Sequence, residues 1–366
     1  MRILVAGDWH SALHEEVAAQ AFVRLGNEVE RFSWHQYFKP KALSPLLRTL
    51  ELFWLKLQNK FIAGPRISAI NADFTATVIR VRPAAVFIYR GTHIKSKTLR
   101  EIKRMAPSVV FVGYNNDDPF GENHPWWLWR HFLHAIPEYD LMYAYRHANL
   151  SRYKFAGAQR CELLRSWYIP WQHSPTKLGE DDSAEFASDV VFVGHYENDG
   201  RLELMAELVR RGVKLKLFGP GYDWDPVLQH SSELKHLSPI RLVWDLDYNK
   251  ALCGAKMALC FLSKLNSDTY TRRCFEIPAT GTLLLSEYSD DLAGMFKEGI
   301  EADFFRTREE LVEKVRYYLQ NEDARTKVAR AGYERVIKDR HDVVSRMEMV
   351  VENVLSMQNK GIVTQA

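Results

Sequence analysis

Two short runs do most to limit what this chain can fold into: RILVAG at Arg2–Gly7 and DVVFVG at Asp189–Gly194. Each is apolar along most of its length, ends in glycine and leads into a helical pattern. An unbroken apolar run describes a strand buried on both faces, and such strands belong to parallel sheets. After the first run come a helix from about His14 to Leu25, a strand over Glu28–Trp34, strand runs at Ala84–Gly91, Ser108–Tyr114 and Tyr139–Tyr145, and a helix over Ile94–Met105. After the second come a helix reaching Gly212, strand runs at Val213–Gly219, Ala255–Leu262 and Gly281–Tyr288, and three amphipathic helices at the end. This alternation predicts an α/β fold of two doubly wound, Rossmann-like domains facing a central cleft.

A length of 366 residues suits that division, since one domain usually takes ~100–200. Residues 173–187 are polar, include Pro175 and Gly179 and show no apolar period, so they read as a linker. The expected domains are residues 1–172 and 188–340, with residues 341–366 forming a closing segment.

Hydrophobic residues make up 46% of the chain and charged residues 26%, which excludes a disordered or fibrous chain. The charges are unevenly placed: residues 1–180 carry 24 Lys and Arg against 15 Asp and Glu, residues 181–366 carry 25 against 31. The basic half suits an anionic acceptor or a membrane surface but lacks the clustered stripe of a nucleic-acid binder. No run reaches the ~18 apolar residues of a membrane span, and MRILVAGDWH does not read as a signal peptide. Cys161, Cys253, Cys260 and Cys274 form no CxxC pair, so neither a zinc site nor a disulfide scaffold is expected. The expected location is cytoplasmic, with peripheral contact at the inner face of the membrane as a further option. The segment Ala42–Ile62 carries Leu47, Leu50, Phe53, Leu55 and Phe61 with Arg48, Lys56 and Lys60. It reads as a helix packed on the core, with an interfacial helix touching a membrane-bound acceptor as the alternative.

Open parallel sheets bind ligands beyond the carboxyl ends of their strands, which directs attention to Gly7-Asp8, Gly194-His195 and Gly219-Pro220-Gly221. None belongs to a G-x-G-x-x-G or G-x-x-x-x-G-K-[ST] motif, so neither a nicotinamide cofactor nor P-loop chemistry is indicated. The turn at Gly194 is followed by Arg201, and helix-start N–H groups there would face an anion. In NSDTYTRRCFEIPATGTLLLSE (Asn266–Glu287), Asp268 and Glu276 are separated by seven residues and Arg272 and Arg273 lie just before the glutamate. Two guanidiniums and two carboxylates are what a sugar nucleotide needs, for its diphosphate and its hydroxyls; a salt-bridged surface helix is the plainer account.

On the amino-terminal side, Asp117 and Asp118 of NNDDP (Asn115–Pro119) end a strand, where a carboxylate can serve as a general base or where Asp and Asn simply form a local turn. His10 and His14, with Asp8, are further candidates, because imidazole titrates near neutrality. Asp223-Trp224-Asp225 and Asp245-Leu246-Asp247 have a metal-binding form but do not follow convincing strands, so both read as structural and no metal is expected. The aromatic stretch His124–Phe132 stacks on sugars or closes the domain.

The stretch TRRCFEIPATGTLLLSE, the helices after it and DRHDVVSRM resemble the carboxy-terminal domain of CgeB-like (spore-protein YkvP/CgeB type) GT-B glycosyltransferases, related to retaining families with a Glu-x7-Glu motif. The resemblance covers roughly residues 189–347, and the DDP element at Asp117–Pro119 is similar too. It implies the GT-B fold, a final helix at about Val343–Met357 crossing back onto the first domain, and transfer of a sugar from a nucleoside-diphosphate donor without metal or other cofactor, with retention. By the same resemblance Glu276 holds the ribose, Arg273 and, more weakly, Arg272 hold the diphosphate, Gly194 and Arg201 flank it, and Asp268 takes the first Glu position, one methylene shorter. The acceptor would be a glycan, a lipid-linked group or a protein. A sugar-nucleotide epimerase or hydrolase, or a non-catalytic binding protein of this fold, are the alternatives.

Overall fold

The structure, a computed structural model, describes residues 1–363 apart from Leu43, Asn123 and Leu265, with the backbone alone for residues 360–363. Leu43 of the segment Ala42–Ile62, and residues 364–366 of the expected closing segment, lie outside the described residues. The chain forms two compact units, one of Met1–Arg165 together with the chain from Val343, the other of Ser166–Asp342.

In the first unit the elements run β1 (Arg2–Gly7), α1 (Glu15–Arg24), β2 (Glu28–Ser33), α2 (Pro45–Phe61), α3 (Pro65–Val81), β3 (Ala85–Tyr89), α4 (Ser96–Met105), β4 (Val110–Asn115), α5 (Trp126–Ala135), β5 (Leu141–Ala144), α6 (His147–Phe155) and β6 (Cys161–Leu163). Its strands are all parallel in the order β2-β1-β3-β4-β5-β6. Every residue of β3 and β4 is buried, which accounts for their unbroken apolar sequences. The chain winds outward from β1 to β2 and then back past β1 to β3, so the switch point of the sheet lies between β1 and β3.

The second unit continues with α7 (Glu180–Phe186), β7 (Ser188–Val193), α8 (Arg201–Arg210), β8 (Leu215–Phe218), α9 (Gly221–Leu228), α10 (Asp245–Cys253), β9 (Ala255–Cys260), α11 (Arg273–Ala279), β10 (Leu283–Glu287), α12 (Asp290–Met295), β11 (Asp303–Phe305), α13 (Arg308–Gln320) and α14 (Glu322–Lys338). Its parallel sheet has the order β11-β10-β9-β7-β8, with the switch point between β7 and β9. The last helix, α15 (Val343–Val363), belongs to the first unit. It buries Val343, Met347, Val350 and Val354 at helical spacing. Asn353 seats it there, donating to Tyr143 Oη and Glu162 Oε2, each 2.8 Å away, and accepting from Arg160 (2.6 Å).

The segment expected to be a linker, residues 173–187, is instead part of the second unit. Asn249 accepts from the Ser174 N–H (3.2 Å) and donates to the Ser174 carbonyl (2.9 Å), and Phe186 is buried beside Phe218. Most of its polar side chains line a surface, while His173, the Ser174 backbone and Phe186 anchor it.

Close approach fixes the glycine at the end of β8. A Cβ on Gly219 would lie 2.2 Å from the Gly194 carbonyl oxygen, a backbone atom that cannot step aside. Gly219→Ala should therefore cost about 1–3 kcal/mol, read as a lower urea midpoint. Gly294→Ala, in α12 with open space around it, should leave the midpoint unchanged or raise it by up to about 1 kcal/mol.

Candidate functional site

In the second unit, the carboxyl ends of the strands around the switch point bring together the Gly194 turn, the loop after β9 and the start of α11. Glu276, in the first turn of α11, is 1% exposed. Its Oε1 lies 2.5 Å from Arg272 Nε and 3.8 Å from His173 Nε2, and its Oε2 accepts from the Tyr248 hydroxyl (2.6 Å). Burial works against its charge, but Arg272, His173, the Tyr248 hydroxyl and Arg273 outweigh it and hold the carboxyl below its ordinary range. Burial and the Glu276 charge push the Tyr248 hydroxyl well up, so it stays a donor. His173 accepts the Ile169 N–H at Nδ1 (3.0 Å), which leaves the proton of the neutral ring on Nε2, toward Glu276. Burial pulls His173 down to about 4 against the attraction of Glu276.

Arg273 is placed differently. Its guanidinium lies against the Gly194 backbone so closely that a Cβ on Gly194 would be 2.9 Å from Nη2. Its Nε is buried without a hydrogen-bond partner, and no ion pair engages it among the described residues. A half-buried guanidinium whose Nε has no hydrogen-bond partner, at a strand-end turn, can receive an anion. Thus Gly194 and Arg273 come together as a pair, while Glu276 and Arg272 face inward behind them. At the same edge, over the ends of β10 and β11, a cavity of about 570 Å³ is lined by Glu203, Lys264, Glu287, Tyr288, Arg306 and Arg308 among others.

Arg201, expected to flank a diphosphate, has another task. It is 4% exposed, clamps Asp199 through Nε (2.8 Å) and Nη2 (2.6 Å), and donates to the His195 carbonyl (2.8 Å). With both edges of its fork used, it fixes the 194–200 loop. Asp268 sits half-buried on the loop before α11, its N–H donating to the Ser263 carbonyl (2.9 Å). The four carboxylates of the two D-x-D sequences have partners within the protein: Asp223 binds His195 Nδ1 (2.6 Å), Asp225 accepts from Ser238 and the Ile240 N–H, Asp245 accepts from Gln172 and Asp247 faces Arg241. Among the described residues no group of three or more His, Cys, Asp or Glu is placed to hold a metal ion.

In the first unit Asp118, a catalytic candidate from the sequence, anchors a turn. It is buried, accepts from the Phe120 N–H (3.1 Å) and Asn149 Nδ2 (2.9 Å), and has Arg152 at 3.7 Å. Asp117 is more open but paired with Arg90 (2.8 Å), whose guanidinium also covers the Trp129 ring. His10 is exposed, with Nδ1 bound to Asp8 (2.7 Å), which leaves Nε2 as the lone-pair nitrogen facing outward. His14 stacks on Tyr89. Of the aromatic stretch, Trp129 is buried and closes the core, while Trp126 stands open to solvent. Sequence reasoning missed His173, Tyr248 and Arg90. Arg90 had a faint signal, a charged residue directly after a buried strand, and it takes a left-handed φ of 62°.

The depressed His173 has a consequence for stability. The unfolded chain takes up a proton here near 6.5, the folded chain only near 4, so stability is fully present above about pH 6.5 and is lost as the pH falls toward about 4. His93, buried in the first unit and pulled down to about 3, acts in the same direction. Urea midpoints across this range should fall, and fall less steeply in His173→Gln, which cannot gain the proton.

Comparison with known proteins places these features. A family described as glycosyl transferase-like matches residues 201–352. No curated protein matches the chain. Among solved structures, sucrose-phosphate synthase from Thermosynechococcus elongatus is similar at 11% identity and a TM-score of 0.69, covering 98% of this chain and all of its own. HepE from Anabaena, solved with UDP-glucose, is similar at 11% identity and 0.65, covering 97% of this chain and all of its own. A glycosyltransferase from Rickettsia africae is similar at 12% and 0.66, covering 96% and 97%. The chain thus has the GT-B fold, and its second unit carries most of the glycosyl transferase-like match.

Proposed function

We propose that this chain is a glycosyltransferase that takes a sugar from a nucleoside-diphosphate donor, with the diphosphate held by Arg273 against the Gly194 turn of the second unit. The observation that carries the reading is the Arg273 guanidinium, its Nε buried and unpartnered at the switch point of the sheet. The family match over residues 201–352 and the UDP-glucose complex of HepE support the same donor class. In transfer, negative charge grows on the leaving diphosphate, and a guanidinium already in place stabilises it without reorganisation. Glu276 acts in this reading by fixing α11, and a ribose hydroxyl would donate to Oε1, which lies 2.5 Å from Arg272 Nε but has no hydrogen-bond partner, since Oε2 already accepts from Tyr248. Asp268 remains the candidate for the donor sugar. In the first unit His10, oriented by Asp8, takes the proton of the acceptor hydroxyl; the acceptor class is a glycan, a lipid-linked group or a protein.

Calorimetric titration with UDP, GDP, dTDP, CMP and ADP, each with EDTA or Mg²⁺, tests the donor site. One diphosphate should bind equally well in both conditions. Arg273→Ala should weaken it by about 1–3 kcal/mol, the cost of a charge-assisted hydrogen bond. Asp8→Ala should leave it nearly unchanged, and undiminished binding by Arg273→Ala would sink the assignment. Once an acceptor is in hand, His10→Asn should lower kcat by about 10²–10⁴-fold with donor affinity retained. Epimerised sugar nucleotide formed with no acceptor present would point to an epimerase instead.

A further inference from the structure

Helix α2 is not needed to complete the sheet. The crossover from β2 to β3 is already covered by α3, which buries Ile67, Ile70, Phe74, Val78 and Val81, whereas Leu55 is the buried residue of α2. Leu52 and Leu57 are half-buried, and six further large apolar side chains of α2 face water: Leu46, Leu47, Leu50, Phe53, Trp54 and Phe61 are all exposed, Leu46 at 72% and Trp54 at 63%. At ~100° per residue these six lie within an arc of about 120°, on the side away from Leu55. The helix is fixed in this attitude. Arg130 of α5 donates to the Phe61 and Ile62 carbonyls (3.0 and 2.7 Å), and Trp127 packs on Phe61. Trp126, at the start of α5, is 73% exposed.

The surrounding charge indicates the occupant. Residues 36–66 hold Lys39, Lys41, Arg48, Lys56, Lys60 and Arg66 against the single acid Glu51. That acid is already spent, accepting from the Lys41 and Ala42 N–H groups at 2.8 Å and facing Arg66 at 3.6 Å. On the helical wheel Lys56 and Lys60 border one edge of the apolar arc, and both are exposed. Protein interfaces are depleted in lysine at their centres. A bilayer surface takes leucine and phenylalanine below the headgroups, tryptophan at their level and lysine against lipid phosphate. Among the described residues no helix is long and apolar enough to cross a membrane, so the attachment would be to one face. We infer that α2 docks the first unit on an anionic lipid bilayer, lying in the interface with the Leu46–Phe61 face buried. This does not rest on the transferase reading.

The test is co-sedimentation of the full chain with vesicles of phosphatidylcholine alone or with one-third phosphatidylglycerol. The chain should bind the anionic vesicles at least tenfold more tightly than the neutral ones, and high salt should release it. The triple variant Leu50→Ser, Phe53→Ser, Trp54→Ser should lose at least tenfold in binding while keeping the wild-type circular dichroism and melting temperature, because all three side chains are exposed. Lys56→Glu with Lys60→Glu should lose the preference for anionic vesicles. The inference is overturned if wild type ignores both vesicle types, or if the triple variant binds as wild type does. It is equally overturned if the triple variant disperses a dimer seen by sedimentation velocity while vesicles are never bound, since the face would then join two copies of the chain.

Discussion

The carboxylate of Glu276 constrains the second unit more than any other single group. An ionised carboxylate in a protein interior costs several kcal/mol unless charge and hydrogen bonds offset it. Here they come from three stretches far apart in sequence: Arg272 just before α11, Tyr248 in α10 and His173 ahead of α7. Helix α11 has seven residues, with Pro278 among them, too short to hold its own position by backbone bonding. The inward ion pair supplies that position. Consecutive residues on a helix diverge by about 100°, so turning Arg272 inward to Glu276 sends Arg273 to a different side, where it meets Gly194. The position of the Arg273 guanidinium is thus set by a pair that itself faces inward.

Much of the fold was legible because a strand covered on both faces must be apolar throughout, and β1, β3, β4, β7, β9 and β10 each left such a run. Strands β6 and β11, three residues each, are too short to show a period. Helix α3 was overlooked because Asn71, Asp73 and Thr75 break up its apolar spacing, although Asn71 is in fact buried, bonding to the His93 carbonyl and the Lys95 N–H. The residues at 173–187 look like a linker because composition does not report partners, whereas His173, the Ser174 backbone and Phe186 attach them to the second unit.

The site was legible in part for a related reason. Spacing placed Arg272, Arg273 and Glu276 near one loop and helix start, but spacing does not say which of them turns inward. The loop contacts of Arg201 and Asp118 were not legible because a charged residue at a strand end carries the same letter whether it meets a ligand or closes its own loop. The difference lies in the neighbours, Asp199 for one and Asn149 with the Phe120 N–H for the other. His173 and Tyr248 could not be found at all, since nothing near them in sequence refers to Glu276.

The two units share one plan, and comparing their first turns shows why one of them suits an anion. After β1, the N–H groups of Asp8 and Trp9 both point at Glu15 Oε1, at 2.8 and 3.3 Å. That carboxylate sits so close beneath the turn that a Cβ on Gly7 would be 2.1 Å from it. The backbone donors that could receive a phosphate are therefore satisfied by the chain itself, and the charge presented beyond them is that of Asp8 with His10 and His35. After β7 the glycine is kept for the opposite reason: a guanidinium, not a carboxylate, occupies the space a side chain would fill. The same strand-glycine-helix turn thus has a carboxylate beneath it in the first unit and a guanidinium against it in the second. That sign difference, more than the shared fold, argues for the donor on the second unit and for proton-transfer groups on the first.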